Sequence, residues 1–178
     1  YKRQIPFLPI SFFKTNEIIC RDKKVEAVFL SSGSGGEKSK HLISDLSIYR
    51  RSFITAFEMF YGDVTQYCVL SLLPNYREEG ASSLIYMVDE LIKISQHQLS
   101  GFYLNDYEKI ANTIKILEES KQKTIIFGVT NALIDLAEKF PSNLVNTIII
   151  ETGGTKGGKK DYTKEELHSI LKKSFSLQ

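Results

Sequence analysis

Two apolar runs constrain this chain most. Thr124-Ile125-Ile126-Phe127-Gly128-Val129 and Leu144-Val145-Asn146-Thr147-Ile148-Ile149-Ile150 are close to continuous. A strand with one wet face alternates apolar and polar residues, whereas a strand covered on both faces does not. Strands of that kind belong to parallel sheets with helices packed on either side. The rest of the chain supplies the other elements. Residues 25–30 and 67–73 read as strands, and 102–104 as a short one. Helical patterns cover 82–95, 107–119 and 131–140. Another runs from Asp45 to about residue 60, with Ile48, Phe53, Phe57 and Phe60 near a helical spacing. Thr163-Lys164-Glu165-Glu166 is a capping box that opens a last helix over about 164–174. Strands alternating with helices predict an α/β fold: a doubly wound, mainly parallel sheet with helices on both faces.

At 178 residues the natural reading is a single domain over 1–178, with 1–21 as an irregular arm carrying Pro6, Pro9, Phe7, Phe12 and Phe13. The chain starts at Tyr1, which reads as part of a longer protein. A net charge of +2 gives no general case for nucleic acid or a membrane surface. No stretch is long and apolar enough to span a bilayer. The two cysteines, Cys20 and Cys68, are too few for a disulfide framework, which points to a reducing, cytoplasmic setting. Cys68 lies in an apolar run and is expected to be buried and inert. No His, Cys and Asp set has the spacing of a metal site.

Two glycine-rich stretches carry the chemistry. Ser31-Ser32-Gly33-Ser34-Gly35-Gly36-Glu37-Lys38-Ser39 follows the strand at 25–30, and a long helical pattern comes next. Strand, glycine loop and helix together present backbone N–H groups to a phosphate. The stretch is neither a Walker A loop nor G-x-G-x-x-G, and a solvated turn has the same composition. Glu151-Thr152-Gly153-Gly154-Thr155-Lys156-Gly157-Gly158-Lys159-Lys160 follows the second apolar run. Gly153 to Lys159 fits G-x-x-x-x-G-K, but Lys160 stands where Walker A has a magnesium-binding hydroxyl, and a basic surface turn reads the same way. Right-handed crossovers bring both loops to one edge of the sheet, where ligands of such sheets bind.

With both loops placed, the chain resembles the adenylate-forming enzymes, the group of acyl-CoA synthetases and phenylacetate-CoA ligases. Ser31-Ser32-Gly33-Ser34-Gly35-Gly36 is similar to their SSGTTG phosphate loop. Within that group the chain looks like the acyl-protein synthetases of bacterial luminescence. The residues behind that are His41, Asp45, Leu73-Pro74-Asn75-Tyr76, Ser82-Ser83-Leu84-Ile85-Tyr86-Met87, Glu151-Thr152-Gly153-Gly154-Thr155-Lys156-Gly157 and Thr163-Lys164-Glu165-Glu166-Leu167-His168.

The resemblance runs from about Phe12 onward and covers the family's N-terminal part. It implies ATP and a fatty or other carboxylic acid as substrates, acyl-AMP as intermediate, and a thiol or partner protein as acceptor. Ser31, Ser32, Gly33, Ser34, Gly35 and Gly36 would cradle the phosphates, Lys38 would add charge, and His41 would bond a phosphate or orient the carboxylate. Glu151, Thr152, Gly153, Gly154 and Lys156 would line the nucleotide. Mg²⁺ and the acyl-accepting cysteine are implied with residues beyond Gln178. The family has threonines where this chain has Ser34 and Gly35, which removes one hydroxyl from the loop. The competing reading is a non-catalytic nucleotide- or partner-binding module of the same fold. A dinucleotide-dependent oxidoreductase is disfavoured, because G-x-G-x-x-G and a ribose-binding acid are missing.

Overall fold

The structure, a computed structural model, describes residues 7–19, 23–31, 38–73, 81–104, 106–153 and 162–177. The chain runs through α1 (Phe12–Thr15), β1 (Ala27–Leu30), β2 (Lys40–Ile43), α2 (Leu46–Tyr61) and a 3₁₀ turn at Val64–Gln66. It continues through β3 (Cys68–Leu72), α3 (Ser83–Ser95), β4 (Gly101–Phe102), α4 (Tyr107–Glu119), β5 (Thr124–Gly128), α5 (Thr130–Lys139), β6 (Thr147–Glu151) and α6 (Lys164–Phe175).

Four strands pair in parallel in the order β4-β3-β5-β6. Successive side chains of a strand point to opposite faces, and here each face has its own helices. Cys68, Leu70, Leu72 and Ile126 pack with residues of α4, α5 and α6. Val69, Ile125 and Phe127 pack with residues of α2 and α3. This is the doubly wound α/β architecture that the apolar runs predict. From β3 the chain leaves through α3 to β4 on one side, and from β5 it leaves through α5 to β6 on the other. Connections that part in this way open a crevice between the carboxyl ends of β3 and β5.

Side chains set most of the helix starts. Asp45 accepts from Ser47 N, Ser82 from Ile85 N, and Asp106 from Lys109 N. Thr163 and Glu166 form the expected capping box. Each satisfies a backbone donor that the first helical turn leaves without a partner. α5 differs. Its N-cap is Val129, which offers no side-chain acceptor.

The first strand departs from expectation. Residues 25–30 do not join the parallel sheet. β1 instead pairs antiparallel with β2, with Leu30 opposite Lys40 and Phe29 opposite His41. A strand, not a helix, therefore follows the serine–glycine stretch, and that stretch connects a hairpin. The reason is local. Ser31 N donates to Ser39 O at 3.0 Å, and Ser39 N donates to the Ser31 hydroxyl at 2.9 Å, which extends the ladder past the strand ends. Four residues of β2 are too short a run for periodicity to reveal.

The α2 pattern also needs correction. Phe53 and Phe57 are buried as expected, but Ile48 is 57% and Phe60 80% exposed. The inward face is Tyr49, Phe53 and Phe57, at i, i+4 and i+8. Of the N-terminal arm, Phe13 stacks on His41, while Phe7, Ile10 and Phe12 stay exposed.

Candidate functional site

β5 and β6 end together at the edge where a doubly wound sheet takes its ligands, with Gly128 paired to Glu151. The two residues after Glu151 are tied down tightly. Thr152 donates to Gly128 O through its N–H at 3.0 Å and its hydroxyl at 3.2 Å. Gly153 adopts φ +75°, a left-handed conformation that suits glycine. That turn brings Gly153 N back to Glu151 Oε1 at 2.8 Å. The same oxygen accepts the Thr130 hydroxyl at 2.5 Å. Thr130 is the first residue of α5, so the carboxylate sits by a helix N-terminus, where partial positive charge favours it.

The strand that leads into the other glycine-rich stretch is tied to the start of α3. Leu30 N donates to Ala81 O at 2.8 Å, just ahead of the N-cap of α3. The start of α3 faces the carboxyl edge of the sheet, because α3 must run back before β4 can pair in parallel with β3. Phe29 holds that junction through aromatic contacts with Tyr49 and Tyr86, at 5.4 and 5.7 Å between ring centroids. The Tyr49 hydroxyl adds a bond to Ser83 O at 3.0 Å.

The expected site residues fall into four groups. Glu151, Thr152 and Gly153 stand at the carboxyl edge. Ser31 stands at the base of the hairpin loop, where its hydroxyl accepts from Ser39, and Lys38 is exposed at the other end of that loop. Ser32, Gly33, Ser34, Gly35 and Gly36, with Gly154 and Lys156, lie outside the described residues. His41 is a β2 residue rather than one near a helix start. Its ring stacks on Phe13 at 4.7 Å between centroids.

Sequence reasoning passed over Thr130 and Gly128. A glycine ending a buried apolar strand, with a threonine two residues on, is the signal that was available. Gly128 is required for space. A Cβ there would stand 2.7 Å from Cγ and Cδ2 of Leu133.

Cys68 takes no part in this edge. It is fully buried, and burial pushes its thiol up to about 11, against a weak opposing contact from the Ser100 hydroxyl. The thiolate is the reactive form. Native protein at pH 8 is therefore expected to leave Cys68 unmodified by iodoacetamide, and urea-unfolded protein to label it fully. Peptide mass spectrometry reads the difference. Rapid labelling of Cys68 in native protein would contradict this account.

Among the described residues, no group of His, Cys, Asp and Glu could hold a metal ion, and no helix is long and apolar enough to cross a membrane. Fold and edge together define a doubly wound α/β protein whose β6 exit is built around a carboxylate, a threonine and a left-handed glycine. No family model, curated protein or solved structure matches the chain.

Proposed function

We propose that the carboxyl edge of the sheet binds a nucleotide, and that the chain is the N-terminal ATP-binding portion of an acyl-protein synthetase-like adenylating enzyme. Such an enzyme activates a fatty or other carboxylic acid as acyl-AMP for transfer to a thiol. One observation supports the reading most. The bond from Leu30 N to Ala81 O ties the strand leading into the serine–glycine stretch to the segment just before α3. That helix starts on the carboxyl-terminal side of the sheet, the side on which Glu151, Thr152 and Gly153 leave β6. The two stretches are 120 residues apart, from Ser31 to Glu151, and each follows a strand, β1 of the hairpin and β6 of the parallel sheet. Glycines, hydroxyls and Lys38 are the donor types that phosphates require. Magnesium enters only through the resemblance, and no step here depends on described residues holding it. Cys68, free and buried, fits a reducing, cytoplasmic compartment.

A non-catalytic nucleotide- or partner-binding module of the same fold is the second reading. The stacking of His41 on Phe13 favours it, because it engages the one histidine proposed to act on substrate. Calorimetry with MgATP and ATP–pyrophosphate exchange with a fatty acid separate the two. The 178-residue chain is expected to bind MgATP and to exchange poorly, since the magnesium-holding residues that the resemblance implies are expected beyond Gln178 and catalysis depends on positioning by the whole site. Absence of MgATP binding would remove the adenylating enzyme and the nucleotide-binding module, leaving a partner-binding module. Robust exchange would overturn the expected inactivity of the piece and decide for the enzyme.

A further inference from the structure

We infer that Thr130 is the positioning residue of this edge, holding the Glu151 carboxylate and the Gly153 turn in the form that meets the nucleotide. The inference rests on the nucleotide reading above and adds a residue to which that reading gives no role.

Thr130 is only 4% exposed, so its hydroxyl had to find a partner inside the protein. It does not cap α5, because Val129 holds the N-cap position. The hydroxyl is given to Glu151 Oε1 instead. A glutamate at the end of a strand has three side-chain torsions to settle. Two donors on one oxygen settle them, from Thr130 on α5 and from Gly153 in the exit loop. The direction of dependence matters. Gly153 N reaches Oε1 only while Glu151 keeps the orientation in which Thr130 holds it.

The turn at Gly153 is thus held through a hydroxyl on a neighbouring helix. Gly128 completes the device, since its carbonyl takes both donors of Thr152. Binding gains from groups that are already in place before the ligand arrives. Thr130 therefore acts through Glu151 and Gly153 rather than by touching the ligand.

The test compares Thr130→Val, which keeps shape and loses the donor, with Thr130→Ser, which keeps the donor. Three quantities are read on the full chain: MgATP affinity by calorimetry, exchange of the Gly153 amide by NMR, and the thermal midpoint. Thr130→Val is expected to weaken MgATP binding about tenfold, as loss of a hydrogen bond to a charged group does. It should also speed Gly153 exchange. Thr130→Ser should restore both, with a midpoint close to that of the wild type. Should the valine variant fail to fold, Glu151→Gln weakens the same acceptor and should loosen Gly153 in the same way.

Wild-type affinity and unchanged Gly153 exchange in Thr130→Val would overturn the role of Thr130 while leaving the nucleotide reading standing. Failure of serine to restore affinity would overturn it as well. A wild-type chain that does not bind MgATP would overturn the nucleotide reading, and this role with it, whatever the exchange data show.

Discussion

Replacing Glu118 with alanine is expected to lower the unfolding free energy by about 1–3 kcal/mol, the cost of leaving donors without their charged acceptor. Glu118 is in the last turn of α4, where the helix dipole disfavours a carboxylate. It is held there by the segment that leads into β6. Its carboxylate accepts from the N–H groups of Val145 and Asn146, the Asn146 side-chain amide and the Thr147 hydroxyl, at 2.6 to 3.1 Å. That clamp joins α4 to the start of β6 and so sets the register of the sheet edge.

The pH dependence follows from the same bonds. Partial burial raises the Glu118 pKa, but the Thr147 and Asn146 side chains and the backbone of Asn146 and Val145 outweigh it, so the group lies below its ordinary value of 4.5. A folded-state pKa lower than the unfolded one adds stability above the unfolded value. The contribution should be full at neutral pH and decline as pH drops below about 4.5 and through the folded value. Urea titrations of wild type and Glu118→Gln across this range provide the check. The gap between them should be widest near pH 7 and close in acid. A constant gap would show that the charge is not what matters.

Gly128→Ala is expected to cost about 1–3 kcal/mol, in line with overpacking of a filled core. On chain entropy alone the change would help, because alanine restricts the unfolded chain more than glycine. Space decides otherwise. The new Cβ meets Cγ and Cδ2 of Leu133 at 2.7 Å, and Leu133 is fully buried with no free end to swing away. Displacement of Leu133 would tilt α5 and with it Thr130. A double-mutant cycle tests the cause. In a Leu133→Ala background the penalty for Gly128→Ala should vanish or reverse. An equal penalty in both backgrounds would show that Leu133 is not the obstacle.

The parts of the fold that depend on local chemistry were legible. The runs at 124–129 and 144–150 announced strands covered on both faces. β5 lies within the first and is buried throughout. β6 begins at Thr147, runs one residue past the second and, as an edge strand, is only partly covered, with Ile148 exposed. Asp45 and the box at Thr163 mark helix starts because a capping oxygen works within four residues of its target. β2 was not legible, because four residues carry too little pattern. The separate sheet of β1 was not legible either. The apolar run at 25–30 fits a parallel strand as well as a hairpin, and the Ser31–Ser39 ties that choose between them span eight residues.

The candidate edge divides in the same way. A glutamate and glycines after a buried strand place Glu151, Thr152 and Gly153 at the carboxyl end of a parallel sheet, because strand and exit loop are contiguous in the chain. Local sequence says nothing of Thr130 reaching Glu151 across 21 residues, or of Leu133 requiring a glycine at 128. It is equally silent on Glu118 standing against its own helix dipole to hold residues 145–147. Each of these depends on which side chains packing brings face to face. Patterning along the chain was enough for the class of fold and for the carboxyl edge at which such sheets bind ligands. The orientation of every group at that edge came from contacts between elements far apart in sequence, where hydrogen-bond satisfaction and close packing admit one arrangement.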